Sequence, residues 1–180
     1  MNRALQFRLF ILFLLLGGTV GCDQTSKHVA RTELRELGSV EFPGGFGRLQ
    51  LAANPGSFLS LGDSLSSFWR RCLFTFGVGA GLTGLLIFLA VSRHLSRLSF
   101  AGLTLILAGG LGNLIDRVTQ DGLVTDFIFL CAGPFHTGIF NLADLMIVVG
   151  SIIVIVSMGR SKSPPNAAAK NQLDNAFRQE

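Results

Sequence analysis

Charged residues in this chain are confined to short stretches, and four long apolar segments separate them. Only 14% of the 180 residues are charged, whereas soluble domains carry about a quarter. A helix needs about 20 mainly apolar residues to cross a bilayer, and lipid admits only helices and closed barrels. The pattern therefore predicts an all-α membrane protein whose four transmembrane helices lie at about residues 9–29, 70–91, 98–115 and 139–158.

The connections between these segments indicate how the chain is organised. We expect one four-helix membrane domain over residues 1–160 and a polar tail over 161–180. The connection at 40–61 mixes glycine and proline with residues that favour strands, which predicts a small external β-containing region. Basic residues cluster beside the other helix ends: Arg3, Arg8, Arg93, Arg97, Arg160 and Lys162. The positive-inside rule then places both termini and the tail in the cytoplasm.

The cysteines and the net charge exclude several classes of protein. Cys22, Cys72 and Cys131 are too few and too scattered for a disulfide scaffold or a cysteine-based metal site. A pair between Cys22 and Cys131 stays open at this point. The net charge is +4, but no basic cluster interleaved with aromatic residues lies on a polar segment, so we expect no nucleic-acid partner.

Predicted helices two and three are rich in glycine. The residues are Gly77, Gly79, Gly81 and Gly84 in helix two, and Gly102, Gly109, Gly110 and Gly112 in helix three. Small residues let helix backbones approach closely in lipid, so both sets predict close helix packing, and for the helix-two set we prefer this interpretation to ligand binding.

The N-terminal segment, Met1–Cys22, has a second interpretation. A basic start, an apolar centre and small residues before a cysteine are typical of a lipoprotein signal peptide. The protein would then be a lipoprotein, with Cys22 carrying the lipid. Three further apolar spans argue against this, because lipoproteins are normally soluble beyond their anchor.

Polar residues recur where the predicted helices reach the external face. Ionisable groups at membrane depth are costly, so each is a functional candidate. Asp23 and Lys27 are four residues apart, in the order that favours a helical ion pair, and both a structural role and a direct role at a site stay open. The stretch Asn54-Pro55-Gly56-Ser57-Phe58 has the residues of a turn.

A glycine-rich stretch at 109–117 ends predicted helix three. No strand precedes it, so it is not a nucleotide-binding loop. Asn113 can share one helical side with Asp116 or Arg117, and a simple surface ion pair between Asp116 and Arg117 is the alternative.

Two carboxylates from separate segments are placed at membrane depth. Asp126 lies in the short apolar stretch 124–128, and Asp144 lies about a turn inside predicted helix four, three residues after Asn141. If the two meet, they cannot both ionise cheaply, and the pair holds one proton. Such a pair suits water-activated peptide hydrolysis, in which one partner takes a proton from water and the other polarises the scissile carbonyl.

Other chemistries fit the residues less well. Ser57 and Lys27 could form a catalytic pair, but nothing in the sequence brings them together. A small transporter or proton channel would also use membrane carboxylates. It would be expected to place them near the bilayer midplane and to show internal repeats.

Together, these stretches resemble the lipoprotein signal peptidase family, also called signal peptidase II, from about residue 8 to residue 159. The matching stretches are Asp23-Gln24-Thr25-Ser26-Lys27, Asn54 with Gly56, Gly-Gly-Leu-Gly-Asn-Leu-Ile-Asp-Arg at 109–117, Val124-Thr125-Asp126-Phe127-Ile128 and Phe140-Asn141-Leu142-Ala143-Asp144. The spacing from Asn54 to Phe58 is one residue shorter than the family's Asn-x-Gly-x-x-Phe pattern. Thr125 and Leu145 also depart from it, at positions where Val or Ile and Ser are expected.

The resemblance implies an intramembrane aspartyl protease without metal or cofactor, whose single four-helix peptidase domain uses Asp126 and Asp144 as its catalytic pair. The residues that it implies shape the site are Asp23, Lys27, Asn54, Gly56, Gly109, Asn113, Asp116, Arg117, Asn141 and Ala143. The implied substrate is a prolipoprotein with diacylglyceryl on its cleavage-site cysteine, cut just before that cysteine. Membrane lipids and globomycin-type inhibitors are the other implied partners. The implied location is the bacterial inner membrane, with the site toward the external face.

Overall fold

The computed structural model describes residues 3–56, 66, 68–69, 72–92 and 94–161. In chain order the elements are α1 (Arg3–Leu37), β1 (Ser39–Glu41), β2 (Gly47–Asn54), a π-helical segment (Cys72–Gly77) continued by α2 (Val78–Val91), α3 (Arg97–Thr119), β3 (Val124–Ala132), β4 (Phe135–His136) and α4 (Leu142–Ser161). Four of the described helical runs are long and apolar enough to cross a membrane. The four helices expected from the sequence are therefore present as candidate spans, and a small antiparallel sheet accompanies them.

The helices differ from the predicted ones mainly at their ends. The first was predicted for 9–29, yet α1 runs from Arg3 to Leu37. Asp23 and Lys27 do not end it, because other elements satisfy their charges. The third continues four residues beyond 115, to Thr119. Arg70, Arg71, Ser57, Phe58 and the tail 162–180 lie outside the described residues.

The sheet is antiparallel and has the order β1-β2-β3-β4. The predicted β-region supplies β1 and β2, whereas β3 comes from the stretch around Asp126, which the sequence did not identify as a strand. The pairing of β2 with β3 shifts register between Leu49 and Ala52. A hydrophobic cluster of Ala30, Leu34 and Phe127 joins the sheet to α1. The sheet thus closes the end of the helix bundle where α1 and α3 finish and α4 begins, here called the sheet end.

Close packing of α3 on α4 depends on glycine. A Cβ atom added to Gly102 would lie 2.8 Å from the carbonyl oxygen of Gly150, and one added to Gly109 would collide with the Ala143 carbonyl. The packing prediction is therefore confirmed for α3. It is wrong for Gly81 and Gly84 in α2, since a Cβ there would meet no atom within 4 Å.

The half of the bundle away from the sheet has an apolar interior. Leu12, Leu89, Phe100 and Leu107 form its core, and each is at most 6% exposed. Many apolar side chains point outward instead, such as Ile155 at 68% exposure, as expected for helices whose outer faces meet lipid. All three cysteines are free, so Cys22 and Cys131 are not joined.

Candidate active site

The first turn of α4 holds Asp144 in a defined position. Asn141 directly precedes the helix, and its side-chain oxygen accepts a hydrogen bond from the backbone N–H of Asp144 at 3.0 Å. In return, Asp144 Oδ2 accepts from the backbone N–H of Asn141 at 3.2 Å. This reciprocal arrangement is a capping box. It explains why the helix begins at Leu142 and not at the predicted residue 139.

Asp126 reaches the same place from the sheet. It lies on β3 opposite Ala52 of β2, and backbone hydrogen bonds between Ile128 and Phe140 hold the start of α4 against β3. The Asp126 residue is only 2% exposed. Asn141 Nδ2 donates to Asp126 Oδ1 at 2.6 Å. Asn141 therefore contacts both carboxyl groups that the sequence paired.

The surroundings of Asp126 favour its neutral form. Burial raises the pKa of Asp126 from 3.8 to about 6, and the nearby Asp144 carboxylate also raises it. Hydrogen bonds from Asn54 and Asn141, together with the positive charge of Lys27, act in the opposite direction. Asp126 can consequently hold a proton near pH 6, where an ordinary aspartate is ionised.

Lys27 is the centre of a buried charge cluster. Its Nζ atom lies 2.9 Å from Asp23 Oδ2 and 3.3 Å from Asp116 Oδ2, and it donates to Asn113 Oδ1 at 2.9 Å. The predicted ion pair of Asp23 with Lys27 is confirmed, and it belongs to a larger cluster joining α1 to α3. Truncating one partner of such a buried pair typically costs about 3–5 kcal/mol.

Asp23 also ties α1 to the start of α4. Its Oδ1 atom accepts from the backbone N–H of Ala143 at 2.9 Å, which satisfies one of the free donors of the first helical turn. Ala143 is fully buried. A Cβ atom on Gly112 would lie 2.5 Å from Asp23 Oδ2. Gly109, Gly112 and Ala143 therefore contribute by leaving room for the helices to meet.

Asp116 does not form the surface pair with Arg117 that was considered from the sequence. It is fully buried, and its Oδ2 atom accepts from the backbone N–H of Thr125 at 2.9 Å. Its second oxygen lies 3.8 Å from Arg31. The Arg117 guanidinium instead faces the ring of Phe74, 5.9 Å from its centroid. Asp116 is thus part of the cluster around Lys27, and Arg117 is not its ion-pair partner.

Asn54 and Gly56 form a turn beside Asp126. Asn54 Oδ1 accepts from the backbone N–H of Gly56 at 2.9 Å, while Asn54 Nδ2 donates to Asp126 Oδ2 at 2.9 Å. Gly56 has a φ of +97° and lies against Phe74, a conformation that favours glycine. The turn predicted from sequence is present, and it fixes a donor on the second oxygen of Asp126.

Three polar residues of this region were not selected from the sequence. Gln24 donates to the carbonyl of Gly112 at 3.0 Å and to both aspartates of the cluster, and Arg31 donates to Thr125 Oγ1 at 2.8 Å. Arg31 follows Lys27 by four residues and so lies on the same face of α1. That spacing could have identified Arg31, but nothing in the sequence indicated the contact of Thr125 with Asp116.

The arrangement brings two carboxyl groups in unequal environments to the sheet end. Asn113 completes it, because its Nδ2 atom donates to Asp144 Oδ1 at 2.8 Å. Asp126 lies on a strand outside the helices, which differs from the midplane carboxylates expected of a proton channel. Within the described residues, no group of His, Cys, Asp and Glu side chains is arranged to hold a metal ion.

Comparison with protein families and curated sequences gives consistent matches. A family model described as "Signal peptidase (SPase) II" matches residues 8–160. A lipoprotein signal peptidase of Solibacter usitatus is 32% identical over 140 residues, which are 78% of this chain and 85% of that protein. One from Burkholderia cenocepacia is 38% identical over 133 residues, 74% of this chain and 78% of the relative.

Solved structures of bacterial membrane enzymes share the fold. One, determined at 2.3 Å by the in meso method, has a TM-score of 0.72 and 25% identity, and the match covers 87% of this chain and 92% of that one. A second, at 1.9 Å, has a TM-score of 0.71 and 27% identity, covering 82% and 92%. The four apolar helices and these neighbours indicate a multi-pass membrane protein.

Proposed function

We propose that this chain, which belongs to the signal peptidase II family, removes signal peptides from prolipoproteins by using Asp126 and Asp144 to activate water. The supporting observation is the position of Asn141, whose side chain donates to Asp126 and caps the turn that carries Asp144. The two carboxyl groups are thereby held by one residue while their surroundings differ.

The two aspartates take different roles in this proposal. Asp126 is the more buried carboxyl group, with a pKa raised to about 6, so it carries the shared proton and hydrogen-bonds the scissile carbonyl oxygen. Asp144 lies in the first turn of α4, and its carboxyl group accepts hydrogen bonds from the side chain of Asn113 and the backbone N–H of Asn141. The ionised Asp144 takes a proton from water, whose oxygen attacks the carbonyl carbon. Collapse of the tetrahedral intermediate breaks the C–N bond, and Asp144 delivers its proton to the leaving amine.

The substrate that we propose is a prolipoprotein with diacylglyceryl on its cleavage-site cysteine, cut just before that cysteine. The apolar signal peptide would lie against the outer faces of the helices, and the acyl chains would stay among membrane lipids. We place the enzyme in the bacterial inner membrane, with both termini cytoplasmic and the sheet end external. The basic residues at the opposite end, including Arg97 and Arg160, support this orientation.

A cleavage assay tests the proposed reaction. Purified protein in lipid is mixed with a diacylglyceryl-modified prolipoprotein, and mass spectrometry identifies the two products. We expect a free signal peptide and a mature chain that begins at the lipidated cysteine, and we expect globomycin to inhibit the reaction. The matched substrate has serine in place of that cysteine and cannot carry the lipid. Equal cleavage of both substrates, or cleavage at another bond, would contradict the proposed specificity.

A further inference from the structure

Every hydrogen-bond donor of the Lys27 ammonium group has a partner inside the protein. The group has three hydrogens to donate, and the structure provides three acceptors, on Asp23, Asn113 and Asp116. The side chain is 0% exposed. Lys27 therefore has no donor left for water or substrate, and its hydrogen bonds reach the reaction only through these three residues.

Asn113 connects Lys27 with Asp144. Its Oδ1 atom accepts from Lys27 Nζ at 2.9 Å and from Asn141 Nδ2 at 3.1 Å. An amide with two donors on its oxygen must direct its NH₂ group the other way, and that group donates to Asp144 Oδ1 at 2.8 Å. A flipped amide would direct its oxygen at the Asp144 carboxylate and its nitrogen at a cation.

We propose that Lys27 is a positioning residue for Asp144, and that it acts by fixing the orientation of the Asn113 amide. This inference rests on the proposed function, because it takes Asp144 as the group that activates water. The positive charge of Lys27 also polarises the amide and so strengthens its hydrogen bond to Asp144. Lys27 would then affect turnover more than substrate binding, since it contacts neither substrate nor water.

Several charged groups surround Lys27, and the test must separate them. Asp23 on α1 and Asp116 on α3 contact it directly, and Asp126 on β3 senses its charge. Arg31 contacts Asp116 from the same helix. On α4, Asp144 is reached only through Asn113. Replacing Lys27 alone would leave the buried Asp23 carboxylate without its cation, while Asp116 would keep only Arg31, so Lys27→Met is expected to fold poorly for a reason unrelated to catalysis.

A charge-balanced variant removes this difficulty. Lys27→Met combined with Asp23→Asn deletes one positive and one negative charge, leaves Asp116 with Arg31 as its cation, and gives an amide oxygen that can still accept from the backbone N–H of Ala143. We expect this double variant to regain most of the thermal stability that Lys27→Met loses. We expect its kcat to stay at least about tenfold below wild type, with KM within about threefold, because misplaced catalytic groups lower turnover.

The matched control is Arg31→Gln. It removes a positive neighbour from the Asp116 carboxylate, which Lys27 also contacts, but leaves the hydrogen bond between Lys27 and Asn113 in place. Its loss of kcat should therefore be smaller than that of the double variant. Recovery of kcat together with stability in the double variant would overturn the inference and leave Lys27 a purely structural role. An equal loss in Arg31→Gln would overturn it too.

Different results would refute the proposed function and the proposed role of Lys27. Asp126→Asn runs beside these variants in the same assay. Cleavage by Asp126→Asn, or no cleavage by folded wild type, would refute the proposed function. A normal wild type with an inactive Asp126→Asn and a fully active double variant would refute only the role of Lys27.

Discussion

The two ends of the helix bundle are stabilised by different interactions. At the sheet end, α1, α3 and α4 meet through buried charges and amides around Lys27. At the opposite end the core is mainly apolar, and the hydrogen bonds between side chains of described residues there join Ser96, Ser99 and Ser157 at 2.8–3.0 Å. The sequence contains no Asp or Glu at 3–22, 72–115 or 145–161, so among the described residues every Asp and Glu of α1, α3 and α4 lies in the part of its helix nearest the sheet end.

The contrast between the two ends distinguishes the interactions that hold the helices together from those that the proposed reaction requires. Apolar packing and close glycine contacts suffice to join helices, as the end around Leu107 and Gly102 shows. Buried charges are costly in a membrane protein. Their concentration at one end is therefore consistent with the catalytic role that we propose for that end, since apolar packing joins the helices elsewhere. Substitutions at the two ends should accordingly separate activity from stability.

The largest expected effect is on activity at the sheet end. Asn141→Ala removes the donor to Asp126 and the side-chain cap above Asp144. Loss of one oxyanion-hole donor lowers kcat by about 10²–10³-fold, and we expect a comparable loss here. Loss of the cap costs about 1 kcal/mol of stability, and the buried Asp126 oxygen left without its donor costs about 1–3 kcal/mol more. Parallel measurements of kcat and of thermal unfolding check this. A variant that loses stability and activity in proportion would weaken the contrast between the two ends.

Leu107→Ala tests the opposite end. Leu107 is 0% exposed and belongs to the apolar core, and such truncations cost roughly 2–5 kcal/mol. We expect a clear drop in the free energy of unfolding and near-normal kcat for the protein that remains folded. Chemical denaturation in detergent, followed by a cleavage assay under folding conditions, gives both values. A loss of kcat comparable to that of Asn141→Ala would show that the two ends are coupled.

The third prediction uses the pKa of Asp126. Its folded value of about 6 exceeds the ordinary 3.8, so its contribution to stability is fully present below about pH 4 and is lost as pH rises through 6. A shift of about 2 units corresponds to roughly 3 kcal/mol. Between pH 4 and 7, wild type should lose most of that free energy of unfolding relative to Asp126→Asn. The free energy of unfolding is measured for both proteins across this pH range. An equal change with pH in wild type and in Asp126→Asn would refute the claim that burial raises the pKa of Asp126.

The smallest expected effect is at Ser157. Its hydroxyl bonds to Ser96 and Ser99, and a typical hydrogen bond contributes about 1 kcal/mol. Ser157→Ala should lower stability by about that amount and leave cleavage unchanged. A thermal unfolding curve and a cleavage rate suffice, and a large loss of activity would show that chemistry is not confined to the sheet end.

The sequence predicted the spanning helices well because lipid imposes a strong length and composition requirement. The same requirement made the polar residues near helix ends conspicuous, and Asp23, Lys27, Asn113 and Asn141 were selected for that reason. The strand β3 was missed, since residues 124–127 are all buried and lack the alternation that identifies a half-exposed strand.

Contacts between distant segments could not be predicted from spacing. The bond from Asp116 to the backbone of Thr125 depends on how α3 leads into β3, and the cap that Asp23 places on Ala143 joins residues 120 positions apart. The prediction of close helix packing was wrong at Gly81 and Gly84, because a small residue permits a close approach of helices without requiring a neighbouring helix.

The most direct test of the account is single-turnover cleavage by Asp126→Asn and Asp144→Asn, each compared with Asp121→Asn. Asp121 is an exposed turn residue with a φ of 55°, a conformation that asparagine tolerates, so its variant controls for loss of one carboxylate near the same end. We predict that both dyad variants fold, bind substrate and cleave at least about 10³-fold more slowly than wild type, while Asp121→Asn cleaves normally. Substantial cleavage by either folded dyad variant would contradict the two-aspartate mechanism.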